Sequence, residues 1–182
     1  MHVVRFVNEL GRLVVNPEYV QRGRGATHPS ESLYKRAGYT FLGLNQEFYN
    51  VTKDMTVRPR YLEGEHTVYR LSYRAYYDGT SNVELKREWV LPGADGTPPN
   101  VPVWEGRTFS GWLNSYPYVN VTASRSIYAG YLSGKFVTHR VSFFNYQGKL
   151  LQNPQYVVDG KAATAPSLSV YARSGYTFLG WN

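Results

Sequence analysis

Short runs of apolar and β-branched residues, separated by glycine turns, set the pattern of the first sixty residues. Residues 4–7 (VRFV) and 13–15 (LVV) flank a glycine-containing turn, which predicts a β-hairpin. In the segment 38–43 (GYTFLG), Tyr and Phe alternate with Thr and Leu as side chains do on the two faces of a strand. A further run at 55–61 predicts a last strand, in which Pro59 indicates a sheet edge or a bulge.

The segment between the hairpin and the GYTFLG strand is rich in glycine, proline and short polar residues. It contains the turn glycine Gly23 and the run 26–29 (ATHP). These residues argue against a long helix, although one or two turns can begin after Pro29, where a missing N–H costs nothing. We expect an extended crossover with at most a short helix.

The same pattern occurs three times along the chain. Residues 4–45 align without a gap onto residues 141–182, and 24 of the 42 aligned positions are identical. A more diverged copy lies between them, with GRTFSGW at 106–112 in place of GYTFLG. The period of about 70 residues predicts an array of small modules joined by short linkers, and hence a stiff rod. The predicted units are residues 1–64 (unit 1), 65–134 (unit 2) and 135–182 (unit 3).

Unit 3 is shorter than the other two. Units 1 and 2 continue past their GYTFLG-type segment into a strand centred on Val57 and Ile127, whereas the sequence of unit 3 reaches only Trp181 and Asn182. Its sheet should therefore lack a strand and expose unpaired backbone N–H and C=O groups. We expect that the natural chain continues, or that another chain adds a strand at this edge.

Large aromatic side chains are the predicted core of these small units. The chain has 182 residues, 16% of them aromatic, and no Cys. Because small domains bury a limited fraction of their surface, a few large side chains must stabilise each unit. Without Cys, disulfides, thiolate metal sites and a Cys nucleophile are excluded. The recurring aromatic positions predicted as core anchors are Tyr39, Phe41, Phe109, Trp112, Tyr176, Phe178 and Trp181.

A second set of tyrosines is the predicted interaction face. Tyrosine is enriched at protein interfaces, and unit 2 holds a concentration of tyrosines without a counterpart in every copy. If the chain has a ligand face, we expect it at Tyr69, Tyr73, Tyr76, Tyr77, Tyr116 and Tyr118.

The net charge of +7 raises the alternative of a polyanion or nucleic-acid binder. Residues 1–65 carry nine Lys and Arg against seven Asp and Glu, residues 66–135 carry seven against five, and residues 136–182 carry four against one. The excess is spread along the chain, and the densest clusters are pairs such as Lys86–Arg87. A mildly basic, solvated surface explains this distribution better than a dedicated binding site.

Motifs for catalysis and for metal binding are missing from the sequence. The histidines His2, His28, His66 and His139 show no metal-ligand spacing, and no calcium loop, phosphate loop or G-x-S-x-G motif occurs. The sequons at Asn50 and Asn120 share one repeat position, which favours a structural turn over glycosylation. We therefore expect no catalytic residue, no cofactor and no metal ion.

The order of these motifs carries a family resemblance. A V-x-F strand, a glycine turn, YVxxG, AT-x-P, GYTFLGW and NVT together resemble the Listeria–Bacteroides repeat, or internalin B-repeat, of Gram-positive surface proteins and some phage proteins. Leu44 departs from the usual Trp, and unit 2 has lost several loop positions. The resemblance implies a mainly β (α+β at most), β-grasp-like (ubiquitin-like) module without catalytic activity, used as a spacer, adhesive or binding surface.

The setting follows from this resemblance and from the N-terminal sequence. That sequence lacks the apolar core of a signal peptide, and no apolar run approaches the roughly 18 residues of a membrane span. We expect an accessory virion protein of a phage, such as a capsid decoration or fibre, or else a fragment of a bacterial cell-surface adhesin. Its expected partners are other virion or cell-surface proteins, with a surface glycan as a further candidate and no specific nucleic acid.

Overall fold

The computed structural model describes residues 1–76, 82–115 and 117–182, and the fold is mainly β, as predicted. In these residues, helical structure consists of one 3-10 turn at Glu31–Tyr34, just after Pro29, and one α-helical turn, α1 (Leu168–Tyr171). None of the described helices has the length and apolar character needed to cross a membrane. The strands are β1 (His2–Phe6), β2 (Glu18–Val20), β3 (Tyr39–Leu44), β4 (Met55–Val57), β5 (Pro59–Glu63), β6 (Tyr69–Tyr76), β7 (Asn82–Val90), β8 (Arg107–Trp112), β9 (Arg125–Ser133), β10 (Thr138–Val141) and β11 (Gln155–Val158).

Units 1 and 2 repeat one mixed strand arrangement. In unit 2, β6 pairs antiparallel with β7 and parallel with β9, and β9 pairs antiparallel with β8. The resulting order β7-β6-β9-β8 is that of a β-grasp sheet. Unit 1 has the same pairs, but its last strand is divided into β4 and β5 at Arg58. The division falls beside Pro59, which has no N–H to donate, and β5 lies at a sheet edge, as predicted.

The hairpin of unit 1 differs from its prediction. Residues 13–15 contribute only an isolated bridge between Val7 and Leu13, and the strand that pairs with β1 is β2. An Asx turn connects the two segments: the Asn8 side chain accepts the N–H groups of Leu10 and Arg12, and the Val14 N–H donates to the Phe6 carbonyl oxygen. The turn predicted in unit 2 at Asp78 and Gly79 lies outside the described residues.

An eight-stranded sheet contains strands of all three units, because strands pair across both unit boundaries, whereas β2, β1 and β4 of unit 1 form a separate three-stranded sheet. Gly43 of β3 lies opposite Glu88 of β7, and Gly111 of β8 lies opposite Gln155 of β11. The strand order is therefore β5-β3-β7-β6-β9-β8-β11-β10. A Cβ at Gly43 would lie 3.0 Å from the Arg87 carbonyl oxygen. Glycine thus allows the neighbouring unit's backbone to approach this closely.

Two hydrophobic clusters form the cores of units 1 and 2. The shared element is a buried β-branched residue of the last strand, Val57 or Ile127, each with no exposed surface. The unit 1 cluster comprises Val4, Phe6, Val20, Tyr34, Leu44, Val51 and Val57. The unit 2 cluster comprises Leu71, Tyr73, Ala75, Leu85, Trp112, Tyr118, Val119, Val121 and Ile127. In unit 3, all of whose residues are described, the buried residues are Asn153, Pro154 and Pro166.

The GYTFLGW segment of unit 3 forms no strand, unlike β3 and β8. Each of those strands pairs with the last strand of its unit, and this partner is missing from the described sheet of unit 3. The prediction of core anchors is therefore wrong at three positions in this structure, since the side chains of Tyr176, Phe178 and Trp181 are exposed.

Candidate interaction surfaces

A threonine hydroxyl fixes the linker at each boundary between units. The Thr40 hydroxyl donates to the Gly64 carbonyl oxygen at 2.8 Å and accepts the His66 N–H at 2.8 Å. In the next boundary, Thr108 makes the same two bonds, to Gly134 at 2.8 Å and from Phe136 at 2.9 Å. Since each hydroxyl bonds both ends of a short linker, neighbouring units are held in a defined relative position.

An aromatic contact crosses each boundary in the same way. Phe41 packs against Trp89 of unit 2 with 5.0 Å between ring centroids and an interplanar angle of 55°. Phe109 packs against Tyr156 of unit 3 at 5.0 Å and 57°. Tilted aromatic pairs at this spacing add to the stabilisation from buried area. Strand pairing, the threonine bonds and this aromatic pair together form what we call the unit joint.

Asn153 strengthens the joint between units 2 and 3. The side chain is fully buried, its amide donates to the carbonyl oxygens of Trp112 (3.2 Å) and Leu113 (3.1 Å), and its oxygen accepts the Tyr118 N–H at 3.0 Å. Because a buried polar side chain needs hydrogen-bond partners, these three bonds favour the position of Asn153 against unit 2. The role of Asn153 was not predicted from the sequence, although the Asn-Pro pair to which it belongs is repeated at Asn16 and Pro17.

In every unit, a carboxylate or amide side chain on β2, β7 or β11 accepts a hydrogen bond from a Thr of the crossover segment. In unit 2, Glu88 is almost fully buried and accepts the N–H and the hydroxyl of Thr97, each at 2.6 Å, and the hydroxyl of Tyr73 at 2.9 Å. Thr97 corresponds to the Thr of the AT-x-P motif in units 1 and 3, and this Thr therefore has a structural role that the sequence did not reveal. The equivalent pairs, also nine residues apart, are Glu18 with Thr27 and Gln155 with Thr164.

The predicted tyrosine interaction face is wrong at two of its positions. Tyr73 is 0% exposed and Tyr118 is 6% exposed, so both belong to the core of unit 2. Burial raises the pKa of Tyr118 to about 12. Burial, with the nearby Glu88 carboxylate, also raises the pKa of Tyr73. The error arose because Tyr73 is the counterpart of Phe6, as their identical pairing with Ile127 and Val57 shows.

The remaining predicted side chains are spread over different environments. Tyr69 is half-buried against the unit 2 core, and Tyr76 is exposed and stacks on Tyr128. Tyr77 and Tyr116 lie outside the described residues. Of the predicted core anchors, Trp112 is buried, whereas Tyr39, Phe41 and Phe109 are half-buried.

An open cleft marks the incomplete end of unit 3. It encloses about 590 Å³ and is lined by Tyr171 and Phe178 among other residues. Their counterparts in unit 1, Tyr34 and Phe41, contact Tyr61 of the last strand through a hydrogen bond to the Tyr34 carbonyl oxygen and an edge contact to the Phe41 ring. The cleft therefore retains aromatic groups that pack on the last strand in the complete units.

The adjacent strand β10 presents a free edge. It is the terminal strand of the described sheet, whereas its counterparts β1 and β6 are covered on this side by the parallel strands β4 and β9. An uncovered edge offers backbone N–H and C=O groups to an incoming extended segment.

One cluster of charged groups on β7 of unit 2 is paired. Arg87 contacts the carboxylates of Glu31 at 2.6 Å and Glu84 at 2.8 Å, and Lys86 lies 3.0 Å from Glu88. Of the two adjacent basic pairs Lys35–Arg36 and Lys86–Arg87, the second is therefore neutralised by neighbouring carboxylates. Among the described residues, no group of three His, Cys, Asp or Glu could hold a metal ion.

The chain bends at both sequons. Asn120 has a positive φ of 50°, a conformation that Asn tolerates better than most residues. The valines that follow the two asparagines, Val51 and Val121, are fully buried. The repeated N-V-T sequence thus has a structural role in turning the chain and anchoring it to the core.

The fold and the joints define a tandem repeat protein built of small mixed units whose strands pair across the unit boundaries. Residues 139–182 match the family model of the Listeria-Bacteroides repeat domain, so this part of the chain is similar to that family. The family is a structural and surface domain, often extracellular or surface-associated, and is not a known enzyme family. No curated protein matches the chain significantly.

Proposed function

We propose that this protein is a non-catalytic spacer and binding module displayed on a surface. The observation that carries the proposal is the unit joint, which repeats at both boundaries and pairs a strand of each unit with a strand of the next. A chain of units linked only by flexible linkers would not hold a ligand at a fixed distance. Strand pairing and the bonds of Thr40 and Thr108 provide the stiffness that a spacer needs.

The setting that we propose is the surface of a phage virion, as a capsid decoration or fibre. A fragment of a Gram-positive cell-surface adhesin is the alternative, and both settings use the same stiff spacer. Antibodies against the chain should label purified virus particles in the first setting and the cell-wall fraction in the second. Labelling of neither fraction would contradict surface display.

The binding surface in this proposal is the β10 edge together with the cleft of unit 3. An extended segment from another surface protein would pair parallel to β10, as β9 pairs with β6. Its β-branched side chain would take the place that Ile127 has in unit 2, and an aromatic side chain four residues later would pack on Phe178 in the way that Tyr131 packs on Phe109.

A peptide of residues 123–132 (ASRSIYAGYL) tests strand addition, because it is the chain's own last strand from unit 2. Titrated into the whole protein by calorimetry, it should bind saturably and protect the β10 amides from hydrogen exchange. The matched control peptide carries Ile127→Asp, which places a charge where the complete units bury an apolar side chain. Equal binding of both peptides, or no binding up to about 1 mM, would contradict the proposed binding surface.

A further inference from the structure

We propose that copies of this chain bind each other head to tail, by repeating between copies the strand pairing and the aromatic contact that join the units within one copy. The proposal goes beyond the proposed function, because it names a second copy as the partner and adds the β2 edge of unit 1 to residues that line the cleft of unit 3. It rests on a comparison of the residues that form the two joints within the chain with the aligned, exposed residues of unit 1 and unit 3.

One half of a joint lies uncovered in unit 3. The internal alignment places Phe178 at the position of Phe41 and Gly180 at that of Gly43. Phe178 is 43% exposed. A Cβ on Gly180 would meet nothing within 4 Å, whereas one on Gly43 would meet the backbone of the next unit. We call Phe178, Gly180 and Trp181 the tail surface.

The other half lies uncovered in unit 1. The alignment places Asn16 at the position of the buried Asn153, and Tyr19 at that of Tyr156. Asn16 is exposed, Tyr19 is 67% exposed, and β2 is an edge strand of its sheet. The first unit thus presents the groups that units 2 and 3 use to dock on the unit before them. We call Asn16, Glu18 and Tyr19 the head surface.

The register of the joint between copies follows from the internal joints. Gly180 of one copy would lie opposite Glu18 of the next, as Gly111 lies opposite Gln155. Since Gly180 already has a positive φ of 141° and no Cβ, the approaching backbone meets no side chain at this point.

The side chains of the two surfaces complement each other in this register. Phe178 would pack on Tyr19, as Phe109 packs on Tyr156. The Asn16 amide would donate to the carbonyl oxygens of Trp181 and Asn182, as the Asn153 amide does to the equivalent residues of unit 2. The third bond of Asn153, from Tyr118, has no equivalent here, because the matching segment is outside the 182 residues.

A head-to-tail contact is heterologous, so a linear assembly of any length keeps one free head surface and one free tail surface at its two ends. Such contacts propagate into linear assemblies unless the rotation closes a ring. One strand pair and one aromatic pair make a small interface, and small interfaces are weak and transient in isolation. Display of many copies on one particle or wall would raise their local concentration and favour the assembly.

Two single substitutions test the proposal in the full chain. Tyr19→Ser removes the head aromatic and Phe178→Ser the tail aromatic, and the exposure of both side chains predicts that each variant folds. In sedimentation velocity, the unmodified protein should form species that grow with concentration. Each variant alone should associate at least about tenfold more weakly, from loss of the aromatic pair and its buried area. Leu10→Ser, at an exposed turn outside both surfaces, is the control and should behave like the unmodified protein.

Mixing the two variants separates a head-to-tail contact from any other kind. The Tyr19→Ser chain keeps its tail and the Phe178→Ser chain keeps its head, so an equimolar mixture should form a dimer and nothing larger. The proposal is overturned by an unmodified protein that stays monomeric up to about 1 mM. It is equally overturned by variants that associate like the unmodified protein, or by a mixture in which no dimer forms.

Discussion

Buried tyrosine hydroxyls differ in whether they find a hydrogen-bond partner, and this difference decides what each contributes to stability. The Tyr61 hydroxyl donates to the Tyr34 carbonyl oxygen at 2.7 Å. The Tyr34 hydroxyl itself is buried, and among the described residues it has no partner. A buried polar group without a partner costs free energy, because it loses its bonds to water.

Replacing Tyr34 by Phe should therefore stabilise the protein. We expect the free energy of unfolding to rise by about 1 kcal/mol, since the substitution removes an unpaired hydroxyl and keeps the ring. Tyr61→Phe is the matched control and should lower it by about 1 kcal/mol, because a made bond is lost. Urea unfolding of both variants measures this, and a loss of stability in Tyr34→Phe would show that the hydroxyl is satisfied.

The buried tyrosines also predict a loss of stability at alkaline pH. Burial raises the pKa of Tyr34, Tyr118 and Tyr131 from 10.0 to about 12. The folded protein therefore keeps protons that the unfolded chain releases above pH 10, so the free energy of unfolding must fall as the pH rises from about 10 to about 12. Urea unfolding between about pH 8 and about pH 11 measures this decrease, which should be shallower in Tyr118→Phe. Stability independent of pH in this range would contradict the buried, protonated tyrosines.

At the scale of elements, the same strand sequence has two different outcomes in one chain. Phe41 lies on β3, which pairs with β5, and it packs against the unit 1 core. Phe178 has the same sequence neighbours but lies in an unpaired, exposed segment. The sequence pattern alone is therefore not sufficient for the strand, and the partner strand decides whether it forms.

The substitutions Phe41→Ala and Phe178→Ala should distinguish a side chain on a paired strand from one in an unpaired, exposed segment. We expect Phe41→Ala to cost roughly 3 kcal/mol of unfolding free energy, because it leaves a cavity beside Tyr34 and Trp89. Phe178→Ala should cost less than about 1 kcal/mol, as exposed substitutions generally do. Chemical denaturation monitored by hydrogen exchange of β1 and of β10 assigns each loss to its unit. Equal costs would mean that unit 3 has a core like that of unit 1.

The comparison also shows what the sequence could and could not predict. Local patterns, which the chain displays in three copies, predict the repeat period, the mainly β class, the short helix after Pro29 and the missing last strand. The burial of Tyr73 could not be predicted in this way, because a concentration of tyrosines is typical of an interface, and only the pairing of Tyr73 with Ile127 of β9 shows that it lies in the core. The pairing of Gly43 with Glu88 joins residues 45 positions apart in different units, and no local pattern encodes such a contact.

At the scale of the whole molecule, the paired charges predict weak and non-specific polyanion binding. Arg87 and Lys86 already contact carboxylates, and the other Lys and Arg residues are spread along the chain and do not form a dense run for a phosphate or sulfate backbone. We expect heparin and DNA to bind with dissociation constants on the order of 10⁻⁴–10⁻⁶ M, without sequence preference, and to be released as salt rises. Salt-dependent titration measures this. Tight binding to one defined sequence at physiological salt would favour the polyanion-binding alternative.

The central claim is that the unit joints make the chain a single stiff body. Because the chain contains no Cys, a pair of introduced cysteines can carry spin labels at two chosen sites without background. Arg22 and Lys161 are exposed and lie in units 1 and 3, so the distance between labels at these positions spans both joints.

Electron–electron double resonance on the Arg22→Cys, Lys161→Cys protein measures the distribution of that distance directly. It is recorded in the Tyr19→Ser background at low concentration, so that contacts between copies do not contribute. We expect one narrow distribution, which broadens when Thr108→Val removes the hydroxyl that fixes the second linker. A broad distribution in the protein with Thr108 intact would show flexibly linked units and would contradict both the shared sheet and the spacer function.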